Sequence, residues 1–326
     1  MIQAGLRIYV RSITGREGKL METTEVSVRR DTVALLDLLD LRPRPAAEHT
    51  ELPAETAVER GLATVKAYAF ATVDYPAAAW SFVGDTNKTT AVGYYVLDPT
   101  NSPVRTTAFT FTSGAYRILT VPNAISSFAA GINTAGTIVG VYEDQAGKSH
   151  GFKNAGGAFT KIDVPNATYT QAAGINDAGS IVGTHVDAAN KQHGFLFSGG
   201  TYTAIDFPGA TGTVATSINA AGDVAGVYWD ANGAHGFVRR AGGFTKVDFP
   251  LAKNTVSWGI NDAGDVAGYY YNADNINHGF ILSGGTFSVV DVAGARGTLL
   301  ARIKNDGRVT GVCTDALTGA HGLIGQ

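Results

Sequence analysis

The chain has 326 residues, a single Cys and a formal net charge of −3, with 44% hydrophobic and 16% charged residues. This balance predicts a globular protein with a sizeable core, and it gives no electrostatic reason to expect nucleic acid or an anionic membrane as a partner. The lone Cys313 excludes an internal disulfide framework, and no apolar run is long enough to span a membrane.

Residues 1–66 differ in composition from the rest of the chain. They hold ten basic and ten acidic residues and end in a Pro-rich linker, "RPRPAAEHTELPAE", at 42–55. So few apolar residues cannot offset the entropy of ordering a chain, so we predict a mostly disordered leader with one short helix at 31–41. The only apolar segment, 32–41, begins too late and carries too many aspartates for a signal peptide.

From residue 67 the chain repeats itself about every 43 residues. The stretch "GINTAGTIVGVYED" at Gly131 returns as "GINDAGSIVGTHVD" at Gly174, and twice more further on. A second motif, "HGF" or "HGL", recurs at His150, His193, His235, His278 and His321. A period of this length indicates a repeat architecture in which each unit is one supersecondary structure.

Each unit contains four short segments with the residue pattern of β-strands. In residues 166–208 these are "YTQAAGI", "SIVGTHVD", "HGFLFS" and "TYTAIDF", separated by turns of Gly, Asn and Asp. Strand-like runs bounded by such turns, with no room for helices between them, are typical of all-β proteins. Four antiparallel strands in about 43 residues match one blade of a β-propeller.

The number of blades follows from the number of units. Five units are complete, and the C-terminal segment supplies only three strands, so we assign its fourth strand to the N-terminal segment 68–76. The predicted blades are 77–122, 123–165, 166–208, 209–250, 251–293, and 294–326 together with 68–76. The fold prediction is an all-β, six-bladed β-propeller at 67–326, closed by its N-terminal strand, which removes exposed sheet edges. We expect a monomer.

A His and an Asp thirteen residues apart recur in the units. The pairs are His150 with Asp163, His193 with Asp206, His235 with Asp248, His278 with Asp291, and, across the closing strand, His321 with Asp74. The first unit has Thr107 and Thr120 at these positions, so it lost both members together. A catalytic pair is needed once, so we predict structural hydrogen bonds between strands three and four of each blade.

The motifs "GINDAG", "VGYY", "HGF" and "GTF" together resemble the HAF-repeat family of extracellular repeat proteins, over about 260 residues. The resemblance implies export, and hence an extracellular or periplasmic location, although residues 1–66 contain no recognisable signal peptide. It brings no established chemistry and no catalytic residues.

Candidate functional residues are those that depart from the repeat. His185 stands where other units have Tyr or Cys, and Trp258 replaces a small residue. Arg302 and Lys304 replace the Gly and Asn of "GIN", and Asp85 takes the Ile position of the first unit. Because first strands line a propeller's channel, Trp258, Arg302, Lys304 and Asp85 are expected to face a ligand. We predict the first three as ligand-binding candidates, and Asp85 together with His185, the propeller histidine outside the paired set, as catalytic candidates. Ordinary drift within a repeat is the alternative for each.

Two functional hypotheses remain open. The first is a hydrolase of lactones or esters, such as acyl-lactone signals, supported by a divalent metal and using His185 or Asp85 as general base. Calcium is the expected cofactor, since the loops 230–233 and 272–277 offer oxygen ligands, although they also suit plain turns. The second is a non-catalytic extracellular propeller that binds a glycan or a protein, with exposed aromatic runs at 227–229 and 269–271.

Overall fold

The computed structural model describes residues 8–9, 25–26, 57–58, 60–101, 103–273, 275–316 and 319–326. The chain divides into two compact units, 1–42 and 43–326. In the first, β1 (Ile8–Tyr9) pairs antiparallel with β2 (Glu25–Val26). The predicted helix at 31–41 lies outside the described residues. Among the residues described, no helix has the length and apolar character needed to cross a membrane.

The second unit is a six-bladed β-propeller with four antiparallel strands in each blade. The first, innermost strands are β5 (Trp80–Thr86), β9 (Ala124–Ile132), β13 (Tyr169–Ile175), β17 (Gly212–Ile218), β21 (Asn254–Ile260) and β25 (Gly297–Ile303). The second strands are β6 (Thr90–Val96), β10 (Ile138–Asp144), β14 (Ile181–Val186), β18 (Val224–Asp230), β22 (Val266–Tyr271) and β26 (Val309–Thr314).

The two outer strands of each blade complete the sheets. The third strands are β7 (Thr107–Thr112), β11 (Ser149–Ala155), β15 (Gln192–Ser198), β19 (Gly233–Arg240), β23 (Asn277–Ser283) and β27 (Ala320–Gly325). The fourth strands are β8 (Ala115–Ile118), β12 (Ala158–Ile162), β16 (Thr201–Ile205), β20 (Gly243–Val247), β24 (Thr286–Val290) and, in the sixth blade, β4 (Phe70–Thr72). We number the blades 1 to 6 in this order.

The sixth blade is closed by the N-terminal strand. β4 pairs antiparallel with β27, with Thr72 opposite Leu323 and Phe70 opposite Gly325. Both ends of the propeller sequence therefore meet in one sheet, and the prediction of a closing strand within 68–76 is confirmed.

Residues just before the closing strand also belong to the propeller. β3 (Ala63–Val65) adds a fifth, parallel strand to the outer edge of blade 5, with Ser288 opposite Thr64. Ala57 and Ala63 are buried in the same apolar cluster as Phe280. The predicted boundary at residue 66 therefore differs from the structure. The many charged residues around β3 led to the prediction of a disordered leader, whereas pairing with β24 through the backbone orders this strand.

The repeated glycine of the second strand leaves room for the ring of the Phe in "HGF", so the two residues recur together. The Phe rings are among the largest fully buried side chains, Phe152 being one of them. A Cβ on Gly140 would overlap the carbonyl oxygen of Phe128 and approach the Phe152 ring within 2.6 Å. Glycine therefore lets the inner strand and the aromatic ring pack onto the second strand at the same point.

Every first strand carries a β-bulge near its end. In blade 6 the register against β26 shifts between Leu300 and Arg302, and in blade 1 the register against β6 shifts between Val83 and Asp85. The bulge makes Asp85 equivalent to Arg302 and to the Gly of "GIN", rather than to its Ile as the sequence prediction had it. Asp85 and Arg302 thus occupy one position in neighbouring blades.

Candidate ligand funnel at the axial channel

The turns between first and second strands surround one mouth of the axial channel. They enclose a funnel of about 220 Å³ that is lined by residues of all six blades. Its apolar lining consists of the repeated isoleucines Ile132, Ile175, Ile218, Ile260 and Ile303. Its polar lining includes Asn133, Asn176, Asn219, Asn261, Asp177, Asp262, Lys88, Lys304 and Arg308. The funnel is therefore apolar on its walls and strongly polar at its rim.

The asparagines of "GIN" hold neighbouring blades together around this mouth. The side-chain Nδ2 of Asn176 donates to the backbone oxygen of Asn219 at 3.0 Å, and Asn219 donates in the same way to Asn261 at 3.1 Å. The Oδ1 of Asn176 accepts a bond from the amide of Ser180, which closes its own turn. One amide side chain thus shapes a turn and joins two blades, so these asparagines have little free hydrogen-bonding capacity for a ligand.

Arg302 fills the channel below the funnel. Its guanidinium donates to the backbone oxygens of Trp258 (3.1 Å), Ala301 (2.9 Å), Ala173 (2.7 Å), Thr216 (3.1 Å) and Ala130 (3.3 Å). These oxygens come from blades 2 to 6, and the Nε lies 3.8 Å from Asp85 Oδ2 of blade 1. The side chain is 4% exposed. Arg302, predicted to bind a ligand, instead closes the channel.

Asp85 is the counter-charge of this plug. Its Oδ1 accepts bonds from the Thr86 amide at 2.7 Å and Lys304 Nζ at 3.0 Å, and its Oδ2 accepts from the Ile132 amide at 3.1 Å. Burial lowers the pKa of the Arg302 guanidinium, and the Asp85 carboxylate opposes that shift. A carboxylate that accepts from this many donors and is 4% exposed is badly placed to take a proton from a ligand in the funnel.

Blade 6 has Lys304 at the position of the "GIN" asparagine, and Arg308 makes the hydrogen bond to the next blade that this asparagine makes elsewhere. Lys304 reaches down to Asp85, and Arg308 Nη1 donates to the backbone oxygen of Asn87 at 3.3 Å, where an asparagine would otherwise bridge to blade 1. Both side chains line the funnel. Of the three predicted ligand-binding residues, the structure therefore brings only Lys304 to the funnel surface.

Trp258 is buried in the interior of the propeller. It is 6% exposed, and its ring centroid lies 6.2 Å from that of Tyr269. It is not among the residues that line the funnel. The aromatic runs expected to be exposed are largely buried too, since Tyr228, Tyr269 and Tyr270 are each at most 2% exposed. Only Trp229 and Tyr271 in these runs are partly exposed.

His185 lies at the opposite end of its blade from the funnel. It is near the end of β14, directly across from His193, with a 5.2 Å distance between the stacked rings. The equivalent Tyr228 and Tyr270 stack on Phe207 and Phe249 of the preceding blade. Desolvation, and then the neighbouring His193, lower the pKa of His185, and its buried Nδ1 has no hydrogen-bond partner. The structure does not bring His185 and Asp85 together.

The repeated histidines each lie between two side chains. The predicted pairs have an Nδ1 to carboxylate distance of 2.7 Å for His150 and Asp163, 3.0 Å for His193 and Asp206, 2.9 Å for His235 and Asp248, 2.7 Å for His278 and Asp291, and 2.9 Å for His321 and Asp74. Since a carboxylate only accepts, each Nδ1 carries the proton that is donated.

A second partner on the other ring nitrogen was missed. Asp144 Oδ2 lies 3.1 Å from His150 Nε2, and Asp315 Oδ2 lies 3.3 Å from His321 Nε2. Asp187, Asp230 and Asn272 hold the same position in blades 3, 4 and 5. The signal was available, because these residues precede their histidines by six positions, or by five in blade 4, where Asp230 precedes His235.

The loops proposed as calcium ligands form turns. In the first, Asp230 Oδ1 accepts from the amide of Asn232 at 2.7 Å, and in the second, Asn272 Oδ1 accepts from the amide of Ile276 at 3.0 Å. Among the described residues, His, Cys, Asp and Glu form no group of three or more that is suited to hold a metal ion. Calcium therefore remains an expectation from the sequence.

Solved structures similar to this chain are β-propellers. AofleA from Arthrobotrys oligospora is 12% identical with a TM-score of 0.51, over 79% of this chain and 86% of that one. TolB from Acinetobacter baumannii is 10% identical with a TM-score of 0.51, over 73% of this chain and 64% of that one. The fucose-specific lectin from Aleuria aurantia, titled a six-bladed β-propeller, is 11% identical with a TM-score of 0.48, over 76% and 95%.

These low identities show a shared fold and nothing beyond it. No family model and no curated protein matches the chain. The resemblance to HAF repeats therefore stays a prediction. Fold and site together define the class: a six-bladed β-propeller with a plugged axis and one polar funnel.

Proposed function

We propose that the protein is a non-catalytic binding propeller that takes a carbohydrate in the funnel. The observation that carries the proposal is the funnel itself, with isoleucine walls and a rim of amide, carboxylate and ammonium groups. The apolar face of a sugar ring packs on aliphatic side chains, while its hydroxyls both donate and accept hydrogen bonds. Its volume of about 220 Å³ is below the ~300–1,000 Å³ of drug-sized sites, which favours a ligand as small as one sugar residue.

Rim groups suited to hydroxyls are already held in position. Asp177 accepts from the amide and the hydroxyl of Thr134, both at 2.8 Å, and Asp262 accepts from the Ala220 amide at 2.8 Å. These bonds come from neighbouring blades and fix the carboxylates before a ligand arrives. Each carboxylate has about four lone-pair sites, so capacity remains for sugar hydroxyls. A preorganised rim lowers the entropy cost of binding a small ligand.

The hydrolase hypothesis has weaker support. Of its candidate bases, His185 lies away from the funnel, and Asp85 is committed to Arg302, Lys304 and backbone amides. Neither side chain is among the residues that line the funnel. A general base must come within hydrogen-bond reach of the proton that it takes, which neither candidate does for a ligand in this funnel.

A variant that fills the funnel tests the proposal. Ala220 lies on the rim, and Ala220→Trp places an indole there. Ala178 has an equally exposed position in the turn of blade 3 but does not line the funnel, so Ala178→Trp is the matched control. The wild type and the control should share hits on a glycan array and the same calorimetric affinities, and Ala220→Trp should lose both. An array without hits, or hits that survive in Ala220→Trp, would overturn the proposal.

The place of action is part of the proposal. The resemblance to HAF-repeat proteins favours an extracellular or periplasmic location, where glycans of cell surfaces are accessible. Fractionation of the native host with an antibody against the propeller measures it, and a protein found only in the cytoplasm contradicts it.

A further inference from the structure

The charged residues of the funnel rim are segregated by blade. The basic side chains Lys88, Lys304 and Arg308 all belong to blades 1 and 6, which are neighbours. Of the acidic side chains, Asp177 and Asp262 belong to blades 3 and 5, whereas Asp306 belongs to blade 6 and pairs with Arg308. In a ring of six, blade 3 lies opposite blade 6 and blade 4 opposite blade 1. Net positive charge therefore lies at blades 6 and 1 (the positive side), and net negative charge lies at blades 3 and 5 (the negative side), of which blade 5 adjoins blade 6.

Two further carboxylates extend the negative side. Asp223 and Asp265 accept from Asn219 Nδ2 and Asn261 Nδ2 at 3.4 and 2.9 Å, directly behind the rim of blades 4 and 5. Arg240 pairs with Asp223 on the outside of the blade at 3.2 Å and offsets part of that charge. The same turn position is Thr137 in blade 2, Ser180 in blade 3 and Arg308 in blade 6, so these two acids lie outside the blades that carry the basic side chains.

The positive side retains net charge after its internal ion pairs are counted. Arg302 and Asp85 offset each other below the funnel, and Asp306 pairs with Arg308 at 2.8 Å. Lys304 gives one of its three donors to Asp85, and its side chain is 28% exposed. Lys88 is exposed on the rim beside it. Two ammonium groups with free donors thus face one side of a cavity whose shape restricts access of water.

We propose that the preferred ligand is an acidic saccharide whose carboxylate docks at Lys88 and Lys304 while its hydroxyls meet Asp177 and Asp262. This inference rests on the proposed carbohydrate function and names its ligand class. A neutral sugar gains only hydrogen bonds to uncharged oxygens from the positive side, and a polyanion is repelled by the negative one. A single carboxylate on a hydroxylated ring satisfies both sides at once.

The test compares two glycosides that differ in one group. Methyl β-D-glucuronide carries a carboxylate at C6 where methyl β-D-glucoside carries a hydroxymethyl group, and both are titrated into the full chain by calorimetry and ligand-observed NMR. A charge-assisted hydrogen bond favours the glucuronide by about tenfold or more. That preference should shrink at high salt, because part of the attraction is screened.

Lys88→Thr is the diagnostic variant, since Thr134 is the residue of blade 2 at the same position. It should weaken the glucuronide several-fold and the glucoside much less, because only the glucuronide presents a charged acceptor to the ammonium group. Lys191→Gln, an exposed lysine in a loop at the other end of its blade, is the control and should change neither. Circular dichroism of each variant checks that the blades remain folded.

The outcomes separate this inference from the function on which it rests. The acidic ligand is supported if the protein prefers the glucuronide over the glucoside, or if array hits are confined to carboxylated glycans. In either case Lys88→Thr must also weaken the acidic ligand selectively. Glucoside bound as tightly as glucuronide, or hits among neutral glycans only, overturns the acidic ligand and leaves carbohydrate binding intact. Absence of binding by every saccharide on the array overturns both.

Discussion

Arg302 and Asp85 occupy the same position of neighbouring blades, with 3.8 Å between the guanidinium Nε and the carboxylate Oδ2. The chain separates them by most of the propeller, and ring closure brings them together on the axis. Four other blades have Gly or Ser at this position, namely Gly131, Gly174, Ser217 and Gly259. The pair is thus a substitution made in two adjacent blades at once.

Arg302→Met should destabilise the propeller by about 3–5 kcal/mol, because it removes one of the two cations beside the buried Asp85 and the donor to five backbone oxygens on the axis. Chemical denaturation measures the loss. The double variant Arg302→Met with Asp85→Asn should recover part of it, because neither charge then remains buried alone. Additive effects of the two single substitutions would contradict an axial ion pair.

Trp258→Ala should cost about 3–5 kcal/mol of stability by leaving a cavity in the interior. Saccharide affinity of the folded fraction should stay unchanged, because Trp258 does not line the funnel. Denaturation and calorimetry on the same preparation separate the two effects. A loss of saccharide affinity with unchanged stability would instead support the ligand-binding role that the sequence predicted for Trp258.

Asp74→Asn should loosen the closure of blade 6 in a pH-dependent way. The hydrogen bond from His321 to Asp74, and then the one to Asp315, raise the pKa of His321. A raised histidine pKa contributes stability that is fully present below the ordinary value of about 6.5 and is lost as the pH rises through the folded-state pKa. The effect is below about 1 kcal/mol, because both side chains are more than one third exposed.

The measurement is the free energy of unfolding of Asp74→Asn and wild type at about pH 5.5 and about pH 8.5, on either side of the ordinary histidine pKa. The difference between the proteins should be larger at the lower pH. Limited proteolysis should cut first near β4 in the variant. An equal difference at both pH values would argue against a charged His321 in the closure.

His185→Phe should stabilise the protein, and more so at acidic pH. Burial lowers the pKa of His185, so the folded state takes up a proton less readily than the unfolded state, and stability falls as the pH drops below about 6.5. Phe keeps a ring in place and removes the unpartnered buried Nδ1, a gain of about 1 kcal/mol at neutral pH.

The control is Tyr142→Phe, at the equivalent position of blade 2. It should show no such pH dependence, because burial raises the pKa of Tyr142 above an already alkaline value. Thermal melts across the acidic range compare the two variants. A destabilised His185→Phe would indicate that the histidine makes a contact that its tyrosine equivalents do not.

The sequence predicted those features that recur at a fixed spacing. The blade count, the strand assignments and the closing strand all followed from a repeat of about 43 residues, since each copy is an independent observation of one blade. The partnership of His and Asp was foreseen in the same way. Asp144 and its equivalents carry a less regular signal, because the spacing before the histidine is five residues in blade 4 and six in the other blades, and blade 5 has Asn272 in place of Asp.

The axial pair and the funnel polarity needed the structure. Arg302 and Asp85 occur once each, in different copies, so no spacing links them, and the divergent sequence of the first unit concealed that Asp85 is equivalent to the Gly of "GIN". β3 was hidden for another reason. Its segment is rich in charge, and its place on blade 5 depends on backbone pairing with β24, which composition does not reveal.

Because the Arg302 guanidinium contacts all six blades, its fit depends on how many blades the ring contains. Tandem repeats gain and lose copies readily, and each blade here is nearly interchangeable with its neighbours. A ring with one more or one fewer copy would have a wider or narrower axis, and Arg302 would no longer span from Asp85 to the five carbonyl oxygens that it now reaches. A buried arginine without those partners is strongly unfavourable. Arg302 therefore fits the axis of a six-bladed ring and disfavours a ring with any other number of blades.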